Sequence, residues 1–283
     1  MTRHILRIIP FLLIVFYSCQ DIIYESKDLE GEWISTTNSR TVFSFKSDKC
    51  SYFSPTGNFA HYKIDGNQLI ITDSIKRRKK LKVKKYQFLI DRLDDNNLTL
   101  ITDSLTIKTQ FKYSNPSEYD TFQLEKLKPK LNPKYSKIKF ESSQCYGTCP
   151  SMKLVIGSNG GINYEGRAYT ERNGYYSGKL SNEQISSLRR KLGYLNLDSL
   201  KTNYSAMWTD DQTCKFEIHL EDTILKTRVY GFNEEPLELR ILFNELMETY
   251  KFSDLKQDSL HKYYFDDFEW KKPITIYISV SAP

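Results

Sequence analysis

Residues 28–128 consist of short runs rich in aromatic and β-branched residues, separated by turn-forming residues. These residue types favour strands, and aromatic residues make up 14% of the 283-residue chain, with 20 Tyr and 16 Phe. Asp65-Gly66-Asn67 and the DDNN stretch at 94–97 are typical turn sequences. Short strands at near-regular spacing predict an antiparallel meander that closes into a barrel or curves strongly.

The first predicted strand carries Gly31-x-Trp33, and the last, DTFQLEKL, covers 120–127. Together these features resemble the lipocalin-like domains of bacterial lipoproteins. The resemblance implies that Trp33 plugs the base of the barrel and that Gly31 permits the close turn beside it. It also implies either an apolar cavity for a small ligand or, as in small relatives, an interior filled by side chains. The sequence leaves both open and identifies no ligand-binding residue.

Pro129 and Pro133 interrupt the strand pattern and predict a linker over residues 129–134. Strand-like runs then resume, and Ser181 with Gln184 three residues later forms the sequence pattern of a capping box. A closing helix is predicted from about 234 to 250, with Asn233 as its cap and Pro236 in its first turn. Residues 135–252 therefore predict an α+β domain, an antiparallel sheet with two packed helices, followed by a tail at 253–283 with a final strand. The expected fold class is mainly β with α+β.

The first 18 residues have the layout of a secretory signal: basic Arg3 and Arg7, an apolar run over 8–17, and Ser18. A run of ten apolar residues is too short to span a bilayer, which takes about 20. Since Cys19 follows directly, this start resembles the signal of a bacterial (Bacteroidetes-like) lipoprotein. That resemblance implies an acylated, palmitate-bearing Cys19, a tether over 19–27, and a cell-envelope location facing the periplasm or the cell surface. An ordinary signal peptide cut near the same place is the alternative.

A second motif opens the α+β domain as C-x-G-x-C-P and continues with a Gly-containing hairpin, a Tyr, a Thr-Asp pair and a late Pro. This pattern resembles a family of uncharacterised bacterial lipoprotein domains, which brings no known activity with it. Met152 departs from the pattern, where an aromatic residue is commoner. The matching positions are Cys145, Gly147, Cys149, Pro150, Gly160, Tyr164, Gly166, Tyr204, Thr209, Asp210, Gly231 and Pro236.

Cys145 and Cys149 allow two interpretations. C-x-x-x-C-P resembles the copper-binding motif of Sco-type copper chaperones, which lies at a helix N-terminus that lowers thiol pKa values. Here the following residues predict a strand, and Gly147 permits the tight reversal that a local disulfide needs. Because disulfides persist outside the cytoplasm, the sequence favours a Cys145–Cys149 disulfide, and Cys50 and Cys214 are expected to be buried thiols.

We find none of the common catalytic motifs in the sequence, including G-x-S-x-G, H-E-x-x-H, the P-loop and G-x-G-x-x-G. His219 is five positions after Cys214, and an odd spacing of this kind places the two residues on opposite faces of a strand. Asp210-Asp211 is either a carboxylate pair or, more simply, part of a turn. The sequence predicts no catalytic site, no metal and no cofactor. The expected function is a non-enzymatic binding or interaction module, with a thiol-redox or copper-binding protein using Cys145 and Cys149 as the alternative.

Eight of the ten residues in the run 76–85 (KRRKKLKVKK) are basic. The run predicts either a solvated hairpin or a contact with phosphate-bearing lipid headgroups. The formal net charge of +6 falls to about +4 without Arg3 and Arg7. Such a weak positive net charge in an exported chain argues against a nucleic-acid-binding function. The expected partners are a membrane, through the lipid anchor, and a small apolar ligand or an envelope protein.

Overall fold

The computed structural model describes residues 24–37, 41–52, 60–77, 80–102 and 121–259. They form a closed antiparallel barrel followed by an eight-stranded sheet with helices packed on it, so the predicted mainly β fold with an α+β second half is confirmed. The predicted signal at 1–18, the acylation site Cys19 and the final strand within 274–281 lie outside the described residues.

The barrel is an up-and-down meander in which each strand pairs with the next and β1 pairs with β8 to close it. A single turn of helix, α1 (Ser26–Leu29), precedes the first strand. The strands are β1 (Gly31–Ser35), β2 (Val42–Lys46), β3 (Lys49–Ser51), β4 (Ala60–Asp65), β5 (Gln68–Arg77), β6 (Lys80–Leu93), β7 (Asn97–Ile101) and β8 (Thr121–Lys126).

Aromatic side chains pack closely in the barrel interior. The rings of Phe43, Phe88 and Phe122 lie 5.9–6.0 Å from one another, and Phe45 meets Tyr62 at 5.0 Å. Alternation along each strand places these residues inside, while their neighbours point outward from the barrel. The buried cluster comprises Leu29, Trp33, Phe43, Phe45, Cys50, Ala60, Tyr62, Leu69, Ile71, Tyr86, Phe88, Ile90, Leu98, Leu100, Phe122 and Leu124.

Trp33 joins α1 to the base of the barrel. Its indole N–H donates a 2.7 Å hydrogen bond to the Leu29 carbonyl, and the Lys126 ammonium lies 5.0 Å from the ring centroid. The side chain is fully buried, so it fills the end of the barrel where the chain enters. The architecture fits a lipocalin-like fold, with Trp33 at the position expected from the sequence.

The second sheet has the strand order β13-β15-β14-β9-β10-β11-β12-β16. Two longer helices, α2 (Asn182–Tyr194) and α3 (Leu237–Phe252), contribute apolar side chains to its buried core. The strands are β9 (Tyr135–Ser142), β10 (Ser151–Gly157), β11 (Gly161–Ala168), β12 (Gly174–Lys179), β13 (Asn203–Ser205), β14 (Thr213–Leu220), β15 (Ile224–Tyr230) and β16 (Asp254–Gln257).

The two helix starts were predicted with different success. Ser181 caps α2 and forms the expected capping box with Gln184. The last helix begins at Leu237 with Pro236 as its N-cap, three residues later than Asn233 would require. A residue that precedes proline is disfavoured in the helical region, so Glu235 cannot continue a helix begun at Asn233. Within the described ranges, the helices are too short or too polar to cross a membrane.

The strand β16 extends the sheet beyond residue 252, where the sequence pattern ends the second domain. It pairs antiparallel with β12, from Tyr176 opposite Gln257 to Lys179 opposite Asp254. Its sequence, DLKQ, has no run of strand-forming residues, and its strand conformation comes from pairing with the edge of β12.

The barrel and the second domain are in direct contact. Glu32 of β1 is buried, accepts a 2.7 Å hydrogen bond from the Tyr194 hydroxyl and lies 3.3 Å from the Lys191 ammonium. Two amides of the predicted linker, those of Lys130 and Leu131, donate to the Gly193 carbonyl. The end of α2 therefore holds both the base of the barrel and the segment that follows it.

Candidate functional site

Loops from distant parts of the sequence meet at one end of the second sheet. Residues 143–150 connect β9 to β10, and residues 206–212 connect β13 to β14. Because β14 pairs with β9 and β9 pairs with β10, the two loops lie side by side. We call residues 143–150 and 206–212 together the stapled edge.

A disulfide closes the first loop of the stapled edge. Cys145 and Cys149 are bonded, with their Cα atoms 5.6 Å apart, as the sequence favoured. The Gly147 amide lies 3.2 Å from the Cys145 sulfur, inside the loop. The Tyr146 amide donates a 3.0 Å hydrogen bond to the Asp210 carbonyl of the second loop, so the closed loop is attached to its neighbour.

The buried side chain of Gln212 joins the two loops of the stapled edge. Its side-chain amide donates to the carbonyls of Ser143, at 3.1 Å, and Pro150, at 2.8 Å, which are the two ends of the disulfide loop. The side chain is only 5% exposed, so these bonds are shielded from competing water. Ser142 adds a 2.7 Å bond from its hydroxyl to Pro150.

The second loop is ordered by a tryptophan and an aspartate. The Asp211 carboxylate accepts hydrogen bonds of 2.7 Å from the Trp208 indole N–H and from the Gln212 amide. The Tyr230 hydroxyl accepts a 3.3 Å hydrogen bond from the Asp211 amide. Asp210 takes a left-handed φ of 66°, which is typical of Asp in tight turns. The Asp210-Asp211 pair thus has the turn geometry that the sequence analysis gave as the simpler interpretation.

Three large apolar side chains are exposed on this ordered framework. Tyr146 is 93% exposed, Met207 is fully exposed, and Trp208 retains 46% of its surface in solvent. Large apolar side chains are normally buried when the chain offers a core. Aromatic side chains on rigid loops, with few rotamers left to lose, are the groups on which protein contacts most often depend.

A third loop, residues 169–173, follows β11 at the same end of the sheet. The Tyr164 hydroxyl donates to the Arg172 carbonyl at 3.0 Å, and the Glu171 amide donates to the Tyr250 hydroxyl at 3.0 Å. The Tyr164 and Tyr250 rings stack at 4.5 Å. Tyr169 is exposed on this loop, which extends the aromatic surface.

The two other cysteines of the part of the chain that the structure describes are inaccessible. Cys50 and Cys214 are buried and not in disulfides, and burial raises the pKa of the Cys50 thiol to about 12 and that of Cys214 well above its ordinary value. His219 pairs with Glu217 at 2.5 Å on the polar face of the sheet, whereas Cys214 lies in the core. Among the described residues, no group of three or more His, Cys, Asp or Glu could hold a metal ion.

Two surface clefts lie outside the barrel. One, of about 520 Å³, separates the predicted linker from α2. The other, of about 600 Å³, crosses the polar face of the second sheet, and Gly157, Gly161 and Gly178 are among the residues that line it. Neither brings together a set of catalytic side chains.

The motif positions of the second domain are partly brought together. Those that meet at or beside the three loops are Cys145, Gly147, Cys149, Pro150, Tyr164, Gly166, Thr209, Asp210 and Gly231. Gly160 lies in the turn at the opposite end of β10, Tyr204 is buried in the core, and Pro236 caps α3. The sequence reasoning missed Tyr146, Met207 and Gln212 as site residues. Tyr146 lies between the two cysteines of the disulfide loop, and this position in the sequence could have identified it as a site residue.

Comparison with protein families finds a match within the second half of the chain. Residues 136–250 match the model of a family described as a domain of unknown function, DUF6438. The match falls within the second domain and includes every loop of the candidate site. No curated protein matches the chain.

Proposed function

We propose that this protein is a lipid-anchored component of the bacterial cell envelope that acts as a non-enzymatic interaction module. In this proposal the stapled edge docks onto another envelope protein. The observation that carries the proposal is the exposure of Tyr146, Met207 and Trp208 on two loops fixed by a disulfide and by the buried Gln212 amide.

Rigid loops favour binding because little conformational entropy remains to be lost on association. Tyr and Trp each offer a large contact area with only two side-chain torsions. The hydrogen bond from Trp208 to Asp211 fixes one of these side chains in advance. The stapled edge therefore has the composition and the rigidity of a small protein-binding surface.

The barrel supports this choice over storage of a small apolar ligand. Rings of Phe43, Phe88 and Phe122 occupy the space between the barrel walls, and a ligand there would have to displace them. A contact through the surface of the second domain needs no such rearrangement.

The proposed lipid anchor at Cys19 is a few residues before α1, which lies at the end of the barrel where the chain enters. Tyr24 is five positions after Cys19, and an extended chain of that length spans at most about 18 Å. Acylation of Cys19 would hold the α1 end of the barrel within that distance of the membrane. More than one acyl chain is needed for stable anchoring. The test is Cys19→Ala, which we expect to abolish incorporation of labelled palmitate and to release the protein from the membrane fraction in a high-salt wash that leaves the parent protein bound.

Docking is tested by a photo-crosslinking amino acid placed at Tyr146 in the full-length protein, in cells that export it. The matched control carries the same group at Leu131, which is exposed and precedes the start of β9, whereas the stapled edge begins at the end of that strand. We expect one adduct of defined mass from position 146, none from position 131, and its loss when Trp208→Ala is added. Identical adducts from both positions, or none from a correctly exported protein, would exclude the stapled edge as the docking surface.

The thiol-redox or copper alternative predicts a different result. It requires Cys145 and Cys149 to open and to bind metal or exchange disulfides, and the motif would need the setting of a helix N-terminus, whereas the strand β10 follows Pro150 here. A thiol count on the unreduced mature protein, followed by copper titration with and without mild reductant, separates the two functions. A closed bond that binds no copper eliminates the alternative, and two reactive thiols with tight copper binding would replace our proposal.

A further inference from the structure

The hairpin formed by β5 and β6 extends past its neighbours in the barrel. β4 pairs with β5 only as far as Thr72, and pairing of β6 with β7 begins at Leu89. The pairing of β5 with β6 continues to Arg77 opposite Lys80. We call residues 73–77 and 80–85 the basic ribbon. Since β5 leads away from the α1 end of the barrel, the ribbon projects from the opposite end.

Most of the net charge of the chain lies in this ribbon. Its six basic residues and one acidic residue, Asp73, give a formal charge of +5, compared with +6 for the whole chain. Asp73 stands opposite Lys84 in the ladder, which leaves the other basic residues without a cross-strand acid in the ribbon. A concentrated charge of this kind attracts an anionic surface from a distance of about one Debye length.

The ribbon also exposes apolar side chains. Leu81 is 67% exposed and Val83 is 57% exposed, and they alternate along β6 with Lys82 and Lys84. Lys82 and Lys84 share the face that continues into the barrel interior at Tyr86, and Leu81 and Val83 lie with Lys85 on the outer face. The ribbon is therefore both basic and amphipathic.

We propose that the basic ribbon binds the surface of an anionic phospholipid bilayer, independently of the contact at the stapled edge. The lysine ammonium groups would pair with headgroup phosphates, each adding to the attraction. Leu81 and Val83 would enter the boundary between headgroups and acyl chains, as the apolar faces of interfacial segments do.

The exposed apolar pair favours a lipid surface over a soluble polyanion. Binding of single-stranded nucleic acid combines phosphate contacts with base stacking on aromatic side chains, and the described positions 81–85 are Leu, Lys, Val, Lys and Lys, with no aromatic residue among them. Lysines also discourage edge strands from pairing with other chains, but that role is served by charge alone and gives no reason for Leu81 and Val83.

The test uses the mature chain with Cys19→Ala, so that no acyl group contributes to binding. Flotation with phosphatidylglycerol–phosphatidylcholine vesicles is compared with flotation with pure phosphatidylcholine vesicles. The charge variant is Lys82→Gln/Lys84→Gln/Lys85→Gln. Its matched control, Lys46→Gln/Lys49→Gln/Lys63→Gln, removes the same charge from exposed barrel positions outside the ribbon.

We expect binding to the anionic vesicles only, and a loss of affinity of about 100-fold in the charge variant, at roughly 1 kcal/mol per lysine. The control triple should stay within about threefold of the parent, because distant charges are screened. Leu81→Ser/Val83→Ser should weaken vesicle binding about tenfold. It should leave any binding of sodium polyphosphate or a DNA oligonucleotide unchanged.

Equal binding to both vesicle types, or unchanged binding in the charge variant, would overturn the proposal. If the apolar variant binds vesicles like the parent, and the soluble polyanions bind with the same dependence on Lys82, Lys84 and Lys85, the lipid surface is the wrong occupant. All of the exchanged side chains lie at the surface, and far-UV circular dichroism will verify that each variant is folded.

Discussion

In the barrel, Trp33 is fully buried and its indole N–H is bonded to Leu29, whereas in the stapled edge Trp208 keeps 46% of its surface in solvent. Both indole N–H groups are satisfied at 2.7 Å by the chain itself, since Trp208 is bonded to Asp211. Each region therefore contains a tryptophan whose indole N–H is hydrogen-bonded within the chain. The difference is that the ring of Trp33 is buried, whereas the ring of Trp208 is half exposed.

The difference follows from the two sheets. The barrel is closed, so its strand edges are paired and its rings have an interior to fill. The second sheet is open, and its polar face carries cross-strand ion pairs such as Lys215 with Glu141 and Lys226 with Glu217. Apolar side chains on its terminal loops have no interior to enter. Aromatic content alone therefore does not separate a core from a binding surface.

Trp33→Ala should give the largest effect on stability. Truncation of a fully buried Trp leaves a cavity, and we expect the free energy of unfolding to fall by about 3–5 kcal/mol. Trp208→Ala, the matched change at the stapled edge, should cost less than about 1 kcal/mol. Urea unfolding followed by far-UV circular dichroism measures both. A cost below about 1 kcal/mol for Trp33→Ala would mean that the barrel base is loosely packed, and the comparison would fail.

Alanine substitutions at two glycines with positive φ should give the next largest difference in stability between the stapled edge and the barrel. Gly231→Ala should destabilise by about 3 kcal/mol, because φ is 74° and a Cβ would lie 2.6 Å from that of Ala206 and 3.0 Å from the Trp208 indole nitrogen. Gly66→Ala, in a barrel turn with φ 62° and nothing within 4 Å, should cost only about 1 kcal/mol. The same urea titration compares them, and equal costs would show that the turn behind Trp208 is not closely packed.

Local sequence signals predicted much of the fold. Short runs of aromatic and β-branched residues between turn sequences predicted the barrel strands. The resemblance to lipocalin-like domains placed Trp33 at the base of the barrel, and the Ser181–Gln184 pair predicted the start of α2. The disulfide followed from the short Cys145–Cys149 spacing and the strand after it. Each of these signals is contained within a few residues of chain.

The missed features depend on contacts between distant residues. Glu32 reads as a surface residue, and its burial comes from Tyr194, 162 positions later. The strand β16 forms because β12 offers an edge. The exposure of Tyr146 and Trp208 is set by loops that meet only after the sheet has formed. Local sequence patterns do not predict these contacts between distant residues.

Glu32 links the two regions, and its loss should matter in a pH-dependent way. Burial alone would raise the pKa of Glu32, but Lys191, Arg190 and the Tyr194 hydroxyl outweigh it and lower the pKa below its ordinary value. A lowered pKa in the folded protein means that the stabilisation is present above the unfolded value of about 4.3 and is lost as the pH falls through the folded value.

Glu32→Gln should lower the free energy of unfolding by about 2 kcal/mol at pH 7, since Lys191 keeps a second partner in Glu245 at 2.7 Å. The difference between the variant and the parent should shrink as the pH falls below about 4. Urea titrations at several pH values measure this, with the exposed Glu125→Gln as the control. A difference that stays constant with pH would show that Glu32 acts by shape and not by charge.

Removal of the disulfide tests whether the stapled edge depends on its closure. Cys145→Ser/Cys149→Ser should cost at most about 2 kcal/mol, because the closed loop is very short. Faster amide hydrogen exchange should be confined to residues 143–150 and 206–212, with the barrel unchanged. Unaltered exchange in both loops would mean that Gln212 and the backbone bonds suffice to fix the edge.

Tyr146→Ala should have the smallest effect on stability and therefore tests the comparison most strictly. The side chain is 93% exposed, and a surface substitution of this kind stays within about 0.5 kcal/mol. The same variant should lose the contact that the stapled edge makes with its partner, because an exposed aromatic side chain on a rigid loop contributes to binding and not to folding. Phe43→Ala in the barrel is the control for this prediction. It should lower the free energy of unfolding by about 3–5 kcal/mol and leave docking by the folded protein intact. Urea titration and the crosslinking yield, measured on both variants, give the two quantities. If Tyr146→Ala lowers stability as much as Phe43→Ala does, the stapled edge is part of the core of the second domain, and the assignment of its aromatic residues to partner binding is wrong.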